Sequence, residues 1–149
     1  MKRVAIALAC LAIWTCGTSS TQSNDSRVAI DVRQLSGPAD QGFPGGFFKV
    51  LLAFELTNQT DEALTLKQLD LDSMGGGGPY RLRKETYYFD ETIAPRDSHE
   101  LQLDVNAFST GDYKSVDAYA PVQIRGVATF QSASGTTVRK IFLKTLRQE

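Results

Sequence analysis

Phe48, Val50, Leu52, Phe54 and Leu56 are separated by single residues, and this run constrains the fold more than any other stretch of the chain. Side chains two apart share one face of an extended strand, whereas a helix would spread them around its axis. The same period recurs in Val28, Ile30 and Val32, in Leu101, Leu103 and Val105, and in Val122, Ile124, Ala128 and Phe130 around Gly126. Leu64 and Leu66 are followed by Leu69 and Leu71, a slip of one residue near Lys67-Gln68 that predicts a β-bulge. The run from Phe48 to Leu56 is expected to be a central strand with one face in the core.

Turn chemistry separates these segments. Residues 58–62 (NQTDE) are a polar cluster, Pro95 precedes Arg96-Asp97-Ser98, and residues 132–135 (SASG) read as a hairpin turn with Gly135 in a left-handed position. Gly75-Gly76-Gly77-Gly78 breaks the chain ahead of residues 80–89, which read as a further strand or a broken hairpin. Residues 106–121 are mixed, with a single helical turn expected at 112–118. Seven to eight strands with such turns predict an all-β fold: a single immunoglobulin-like antiparallel β-sandwich over residues 27–149, with a small barrel as the other architecture. No segment has the length and period of a crossover helix, which excludes a Rossmann-type fold.

The order of these elements resembles a known family. A long apolar strand ends in Asn58, a polar turn leads to Leu64-Thr65-Leu66, Ile93-Ala94-Pro95 precedes an alternating strand, and a hairpin closes the chain. Over residues 47–142 this is similar to the late embryogenesis abundant type 2 domain, the water-stress and hypersensitive-response fold. The Asn-Pro typical of that family is Asn58-Gln59 here, and the tetraglycine loop is extra. The family is non-catalytic, so the resemblance implies a binding or structural role and transfers no catalytic residue.

The first 26 residues read as addressing. Lys2 and Arg3 precede an uncharged apolar run, residues 4–14 (VAIALACLAIW). That run is about 11 residues long, against the ~20 that a membrane-spanning helix needs, and it suits the core of an export signal. Ile13-Trp14-Thr15-Cys16 then ends the run. This arrangement resembles the bacterial lipoprotein signal, with Ile13 at the aliphatic position and Cys16 at the lipid-bearing one. Ala7-Leu8-Ala9-Cys10 is a second match, with a shorter apolar run before it. Cleavage near residues 18–20 without lipidation and an uncleaved anchor are the other readings.

The lipoprotein resemblance implies a diacylglyceryl group on Cys16, usually with a third acyl chain, holding the protein on a membrane. Gly17, where an inner-membrane lipoprotein tends to carry Asp, implies the outer membrane if the host has one. Residues 17–26 (GTSSTQSNDS) contain no large apolar side chain and are expected to be a disordered tether. Its typical reach is about 16–19 Å.

Charge narrows the partners. Without Lys2 and Arg3 the chain has 14 basic residues against 17 acidic ones, a net charge of −3. Nucleic acid is therefore not an expected partner. Both cysteines, Cys10 and Cys16, precede the folded part, which can form neither a disulfide nor a cysteine-ligated metal site. No cofactor or metal is expected.

Candidate chemistry is sparse. His99 stands beside Ser98, but neighbours on a strand point to opposite faces, and no G-x-S-x-G elbow is present. Asp70 and Asp72 precede Gly75 in the manner of a calcium loop, but Met74 and Arg81 occupy ligand positions. The tetraglycine lacks the following helix and Lys-Ser/Thr of a phosphate loop. Tyr80, Arg81, Arg83, Tyr87 and Tyr88 form the best candidate for a partner-binding patch, because arginine and tyrosine are favoured at interface centres. The competing account puts Tyr80, Leu82 and Phe89 in the core with the charges solvated. Phe43, in a Pro-Gly-Gly loop that ends at Phe47, either closes one end of the sandwich or faces a partner.

The expectation is a membrane-tethered lipoprotein of the cell envelope acting as a non-catalytic binding or structural module, with an envelope protein or surface polymer as partner. The alternative is a periplasmic enzyme or calcium-dependent binding protein that uses Asp70, Asp72, Asp90 and Glu91.

Overall fold

The computed structural model describes residues 25–38, 46–75, 78–110 and 120–147. The expected export signal, Cys10, Cys16, most of the expected tether, Phe43 and the expected helical turn at 112–118 lie outside the described residues.

Among the described residues eight strands follow in order: β1 (Val28–Ser36), β2 (Phe47–Asn58), β3 (Leu64–Ser73), β4 (Tyr80–Leu82), β5 (Glu85–Ile93), β6 (Ser98–Ser109), β7 (Val122–Ser132) and β8 (Thr137–Leu146). They form two four-stranded sheets in the orders β1-β2-β6-β4 and β5-β3-β7-β8, and every pairing is antiparallel. The cores of the two sheets, β1-β2-β6 and β3-β7-β8, follow the A-B-E and C-F-G arrangement of an immunoglobulin-like sandwich. β4 extends the first sheet beyond β6, and β5 extends the second beyond β3.

The alternating side chains meet between the sheets. Val28, Ile30 and Val32, then Phe48, Val50, Leu52, Phe54 and Leu56, with Val105 and Ala107, are buried from one side. Leu64, Leu66, Leu69, Leu71, Ile93, Ile124, Phe130, Val138 and Phe142 are buried from the other. Each such side chain contributes about 1.5–3 kcal/mol relative to exposure, so this layer is the main stabilising element. β2 is central, flanked by β1 and β6, as its alternation predicts.

The slip at Lys67 is a bulge. Both ladders of β3 change register between Leu66 and Gln68, which keeps the two leucine pairs on the buried face. Lys67 turns outward there and forms an ion pair with Asp90 of β5.

Residues 80–89, expected as a further strand or a broken hairpin, hold one short strand and the start of another in different sheets. β4 pairs with β6 in one sheet, and β5 pairs with β3 in the other. The chain changes sheets at Arg83-Lys84. A two-residue connection would suit a hairpin, but here it carries the chain from one sheet to the other, and β4 and β5 take different partners, β6 and β3.

The turn from β5 to β6 carries a non-glycine residue in the left-handed region. Asp97 N–H donates to the Ala94 carbonyl at 3.3 Å, with Pro95 and Arg96 between them and Arg96 at φ 59°. Turns with Pro second and positive φ third favour glycine at the third position. Arg96 is held by its own N–H, which donates to the Thr60 carbonyl (3.1 Å), and by an exposed ion pair of its Nε with Asp61 Oδ1 (2.8 Å). Arg96→Gly relieves the strain and loses a fully exposed pair that water and salt screen. Arg96→Ala loses the pair and keeps the strain. Urea denaturation is expected to leave Arg96→Gly within about 0.5 kcal/mol of the wild type and to place Arg96→Ala about 1 kcal/mol below the glycine variant.

Candidate functional site

The five residues of the proposed patch do not form one surface. Tyr80 is 1% exposed and belongs to the core. Its ring stands edge-on to Phe48 at 5.9 Å, and its hydroxyl donates to Gln34 Oε1 at 2.5 Å. Burial pushes its hydroxyl pKa well above the usual tyrosine value. Tyr80 is therefore removed from the patch: as an inward residue of β4 it plugs the end of the sandwich.

Tyr87 and Tyr88 are adjacent on β5 and point to opposite faces. Tyr87 is half-buried against the core, with its hydroxyl donating to Glu85 Oε2 at 2.8 Å. Glu85 also accepts from Asn106 Nδ2 at 3.0 Å, and the Tyr87 and Asn106 bonds hold its carboxyl below the ordinary glutamate value. Tyr88 is 77% exposed on the outer face of the second sheet. Arg81 and Arg83 are exposed, Arg81 on β4 and Arg83 at the change of sheet.

What Arg81 joins is a different pair of aromatics. Arg81 is the register partner of Phe108, and Phe108 is the register partner of Phe47. The two phenylalanine rings meet edge-to-face with centroids 6.4 Å apart. Phe47 is 79% exposed. The next row inward along the same outer face holds Lys49 opposite Asn106, and the row after it Leu51 opposite Asp104. Arg83 adjoins the second row through its N–H, which donates to the Asn106 carbonyl at 2.8 Å. Phe47 and Arg81 are exposed and Phe108 is half-buried; aromatic residues and arginine, unlike lysine, are enriched at the centres of protein interfaces.

Sequence reasoning found Arg81 and Arg83 here but missed both phenylalanines. Phe47 and Phe108 are 61 positions apart in the chain. Only the β2–β6 register brings them together. The available signal was an apolar residue at each outer end of an alternating strand, out of phase with the core positions.

The remaining candidates are placed as follows. His99 faces the inner side of β6 at its start, with Nε2 4.0 Å from Glu91 Oε2. Ser98 lies on the opposite face, with its hydroxyl 2.8 Å from Thr57 Oγ1. Asp70 accepts from Thr86 Oγ1 (2.6 Å) and Gln68 Nε2 (2.9 Å) on the outer face of the second sheet. Asp70 and Asp72 line a shallow cavity of about 370 Å³ together with Lys84, Glu85, Thr86 and Arg125. Asp72 and Arg125 are register partners there, so charges of both signs share the depression. Asp90 is paired with Lys67. Among the described residues, no group of three His, Cys, Asp or Glu side chains is placed to hold a metal ion.

No protein-family model and no curated protein matches the chain. Among solved structures, the chain is similar to the X-ray structure of the Northeast Structural Genomics Consortium target SoR45. The TM-score is 0.56 and the identity 11%, over 85% of this chain and 90% of that one. A crystal structure of a protein from Archaeoglobus fulgidus matches at TM-score 0.48 and 5% identity, over 81% of this chain and 96% of that one. At 11% identity, the likeness to the SoR45 target establishes the fold alone, an all-β sandwich shared along most of both chains.

Proposed function

We propose that this protein is a lipid-anchored module of the bacterial cell envelope that binds a partner and catalyses no reaction. The observation that carries this reading is Ile13-Trp14-Thr15-Cys16 at the end of an apolar run of about 11 residues, too short to span a bilayer and followed by a polar tether. The geometry of the domain supports a binding role. β1 starts opposite Asn58, at the end of the sandwich that holds the 59–63, 94–97 and 133–136 turns. The Arg81–Phe108–Phe47 row lies at the other end of the same sheet, roughly 35 Å along β2. A domain hung from its N-terminus would carry that row away from the anchoring membrane, towards an envelope protein or surface polymer.

The anchor is tested with Cys16→Ser in the intact chain. The wild type is expected in the membrane fraction and the detergent phase, with acyl chains on the mature N-terminal cysteine by mass spectrometry. The variant is expected to accumulate as a precursor or to leave the membrane. Unchanged partitioning of the variant, or a mature N-terminus without an acyl adduct, overturns the reading.

A further inference from the structure

The lane that β4 opens along the free side of β6 is filled for only three residues. β4 pairs with β6 from Ala107 to Ser109, Arg83 adds a last bond to the Asn106 carbonyl, and the chain then leaves for the other sheet. Two hydrogen bonds fix which β6 groups face the lane. Ser109 N–H donates towards β2, to the Gly46 carbonyl (3.0 Å), while the Asn106 carbonyl accepts from the lane side. In an antiparallel ladder the two sides alternate residue by residue. Glu100, Gln102 and Asp104 therefore aim their N–H and C=O groups into the lane, where β6 has no neighbouring strand among the described residues. Asp97 Oδ1 accepts the Ser98 N–H at 2.8 Å and closes the lane at that end.

The walls of the lane have a definite chemistry. On the inner side Leu101 and Leu103 of β6, with Tyr87 and Phe89 of β5, pack against the core but remain partly exposed. His99 with Glu91 bounds this apolar stretch at one end, and at the other stands Glu85, whose carboxylate accepts Nδ2 of the outer-face Asn106 around the edge of β6. On the outer side Glu100 and Asp104 are exposed carboxylates. Glu100 accepts from Arg33 Nη2 (2.7 Å) and from Gln102 Nε2 (3.0 Å).

We infer that this lane is a strand-addition site for an extended segment of a partner protein. The segment continues the course of β4 antiparallel to β6 for about five residues, a length within the range of short natural strands. It presents apolar side chains opposite Leu101 and Leu103 and basic ones opposite Glu100 and Asp104. Backbone bonds to Glu100, Gln102 and Asp104 supply affinity, and the alternation supplies specificity. A second copy of β6 suits the lane poorly, because symmetric pairing about Gln102 sets Glu100 opposite Asp104 twice, and like charges directly opposite repel. The inference stands independently of whether Cys16 is acylated.

The test is amide hydrogen exchange by NMR on the full chain in detergent, with acetyl-Lys-Val-Lys-Val-Lys-Val-Lys-amide as the probe. Exchange at Glu100, Gln102 and Asp104 is expected to slow at least tenfold when the peptide is added, with β8 amides unchanged. A control peptide of the same composition, with its valines in one block and its lysines in another, is expected to give no protection. Leu103→Lys and Gln102→Pro are each expected to abolish the effect, provided thermal melting shows a folded domain. If Gln102→Pro fails to fold, Leu103→Lys alone carries the comparison.

Equal protection by the control peptide would show charge attraction only and overturn the inference. So would no protection at millimolar peptide. Protection without peptide that grows with protein concentration, together with a dimer in sedimentation, would assign the lane to a second copy and overturn it as well.

Discussion

Gly126→Val is expected to destabilise the domain by about 3 kcal/mol, and Gly126→Ala by about 1–3 kcal/mol. Gly126 sits on the buried face of β7, directly opposite Phe142 of β8, and the Phe142 ring lies across the space that a side chain would occupy. A Cβ added to Gly126 would stand 2.0 Å from Cζ, 2.4 Å from Cε1 and 2.7 Å from Cε2 of that ring. Three ring atoms at such distances mean that the whole ring must move. It is wedged edge-on against Phe54, with centroids 6.4 Å apart. Replacing a strand glycine elsewhere would gain roughly 0.5–1 kcal/mol from the reduced freedom of the unfolded chain. At this position the clash outweighs that gain.

The measurement is thermal unfolding, with a fall of about 4 °C expected for each kcal/mol. Combining Gly126→Ala with Phe142→Leu should recover part of the loss, because the shorter side chain vacates the ring's place. A double variant as unstable as the sum of the two single variants would show that the contact is not the cause.

Asn58→Ala is expected to cost about 3–5 kcal/mol, more than any surface change in the molecule. Asn58 is fully buried at the end of β2. Its Nδ2 donates to the carbonyls of Glu62 (2.8 Å), Ala94 (3.0 Å) and Ile93 (3.2 Å). Its Oδ1 accepts from Thr60 N–H (3.0 Å) and Thr60 Oγ1 (2.8 Å). One side chain thus ties the turn after β2 to the turn after β5, across the two sheets. Alanine leaves these buried groups without their partner, at about 1–3 kcal/mol for each that water cannot reach.

Asn58→Asp separates the two halves of this network. The carboxylate still accepts from Thr60, but it faces three carbonyl oxygens to which it can donate nothing. Burial and those carbonyls raise the folded-state pKa of the new acid above its unfolded value. The neutral form is then the one the fold prefers, so stability is lowest above the folded pKa and rises as pH falls through it towards about 4. Denaturant melts at pH 7 and pH 4.5 should show a smaller deficit relative to the wild type at the lower pH. An equal deficit at both would place the cost in shape rather than in charge.

The parts of this fold that could be read from the sequence are those in which a local period answers to a local geometry. The Phe48–Leu56 alternation gave a central strand, and the phase slip at Lys67 gave a bulge, because a one-residue insertion leaves a direct trace in the spacing of leucines. Gly135 (φ 85°) was legible for the same reason: a hairpin turn requires its backbone conformation. The change of sheet at Arg83-Lys84 left no such trace, since two charged residues are compatible with a continuous strand. The candidate surface was half legible. Tyr80 and Arg81 are neighbours in the chain, yet one enters the core and the other faces out, a distinction that depends on which sheet β4 joins. Phe47 and Phe108 could be joined only by knowing the register between distant strands.

The pairing order has a consequence for how the protein is made. The middle of one sheet joins β2 to β6, and the middle of the other joins β3 to β7. β4 waits for β6, which is synthesised after it. No stable half can close around the early strands alone, and contacts so distant in sequence form slowly. A chain fed through a narrow conduit from its N-terminus would therefore remain threadable until residues beyond Val122 had passed, and would acquire its rigidity only on the far side.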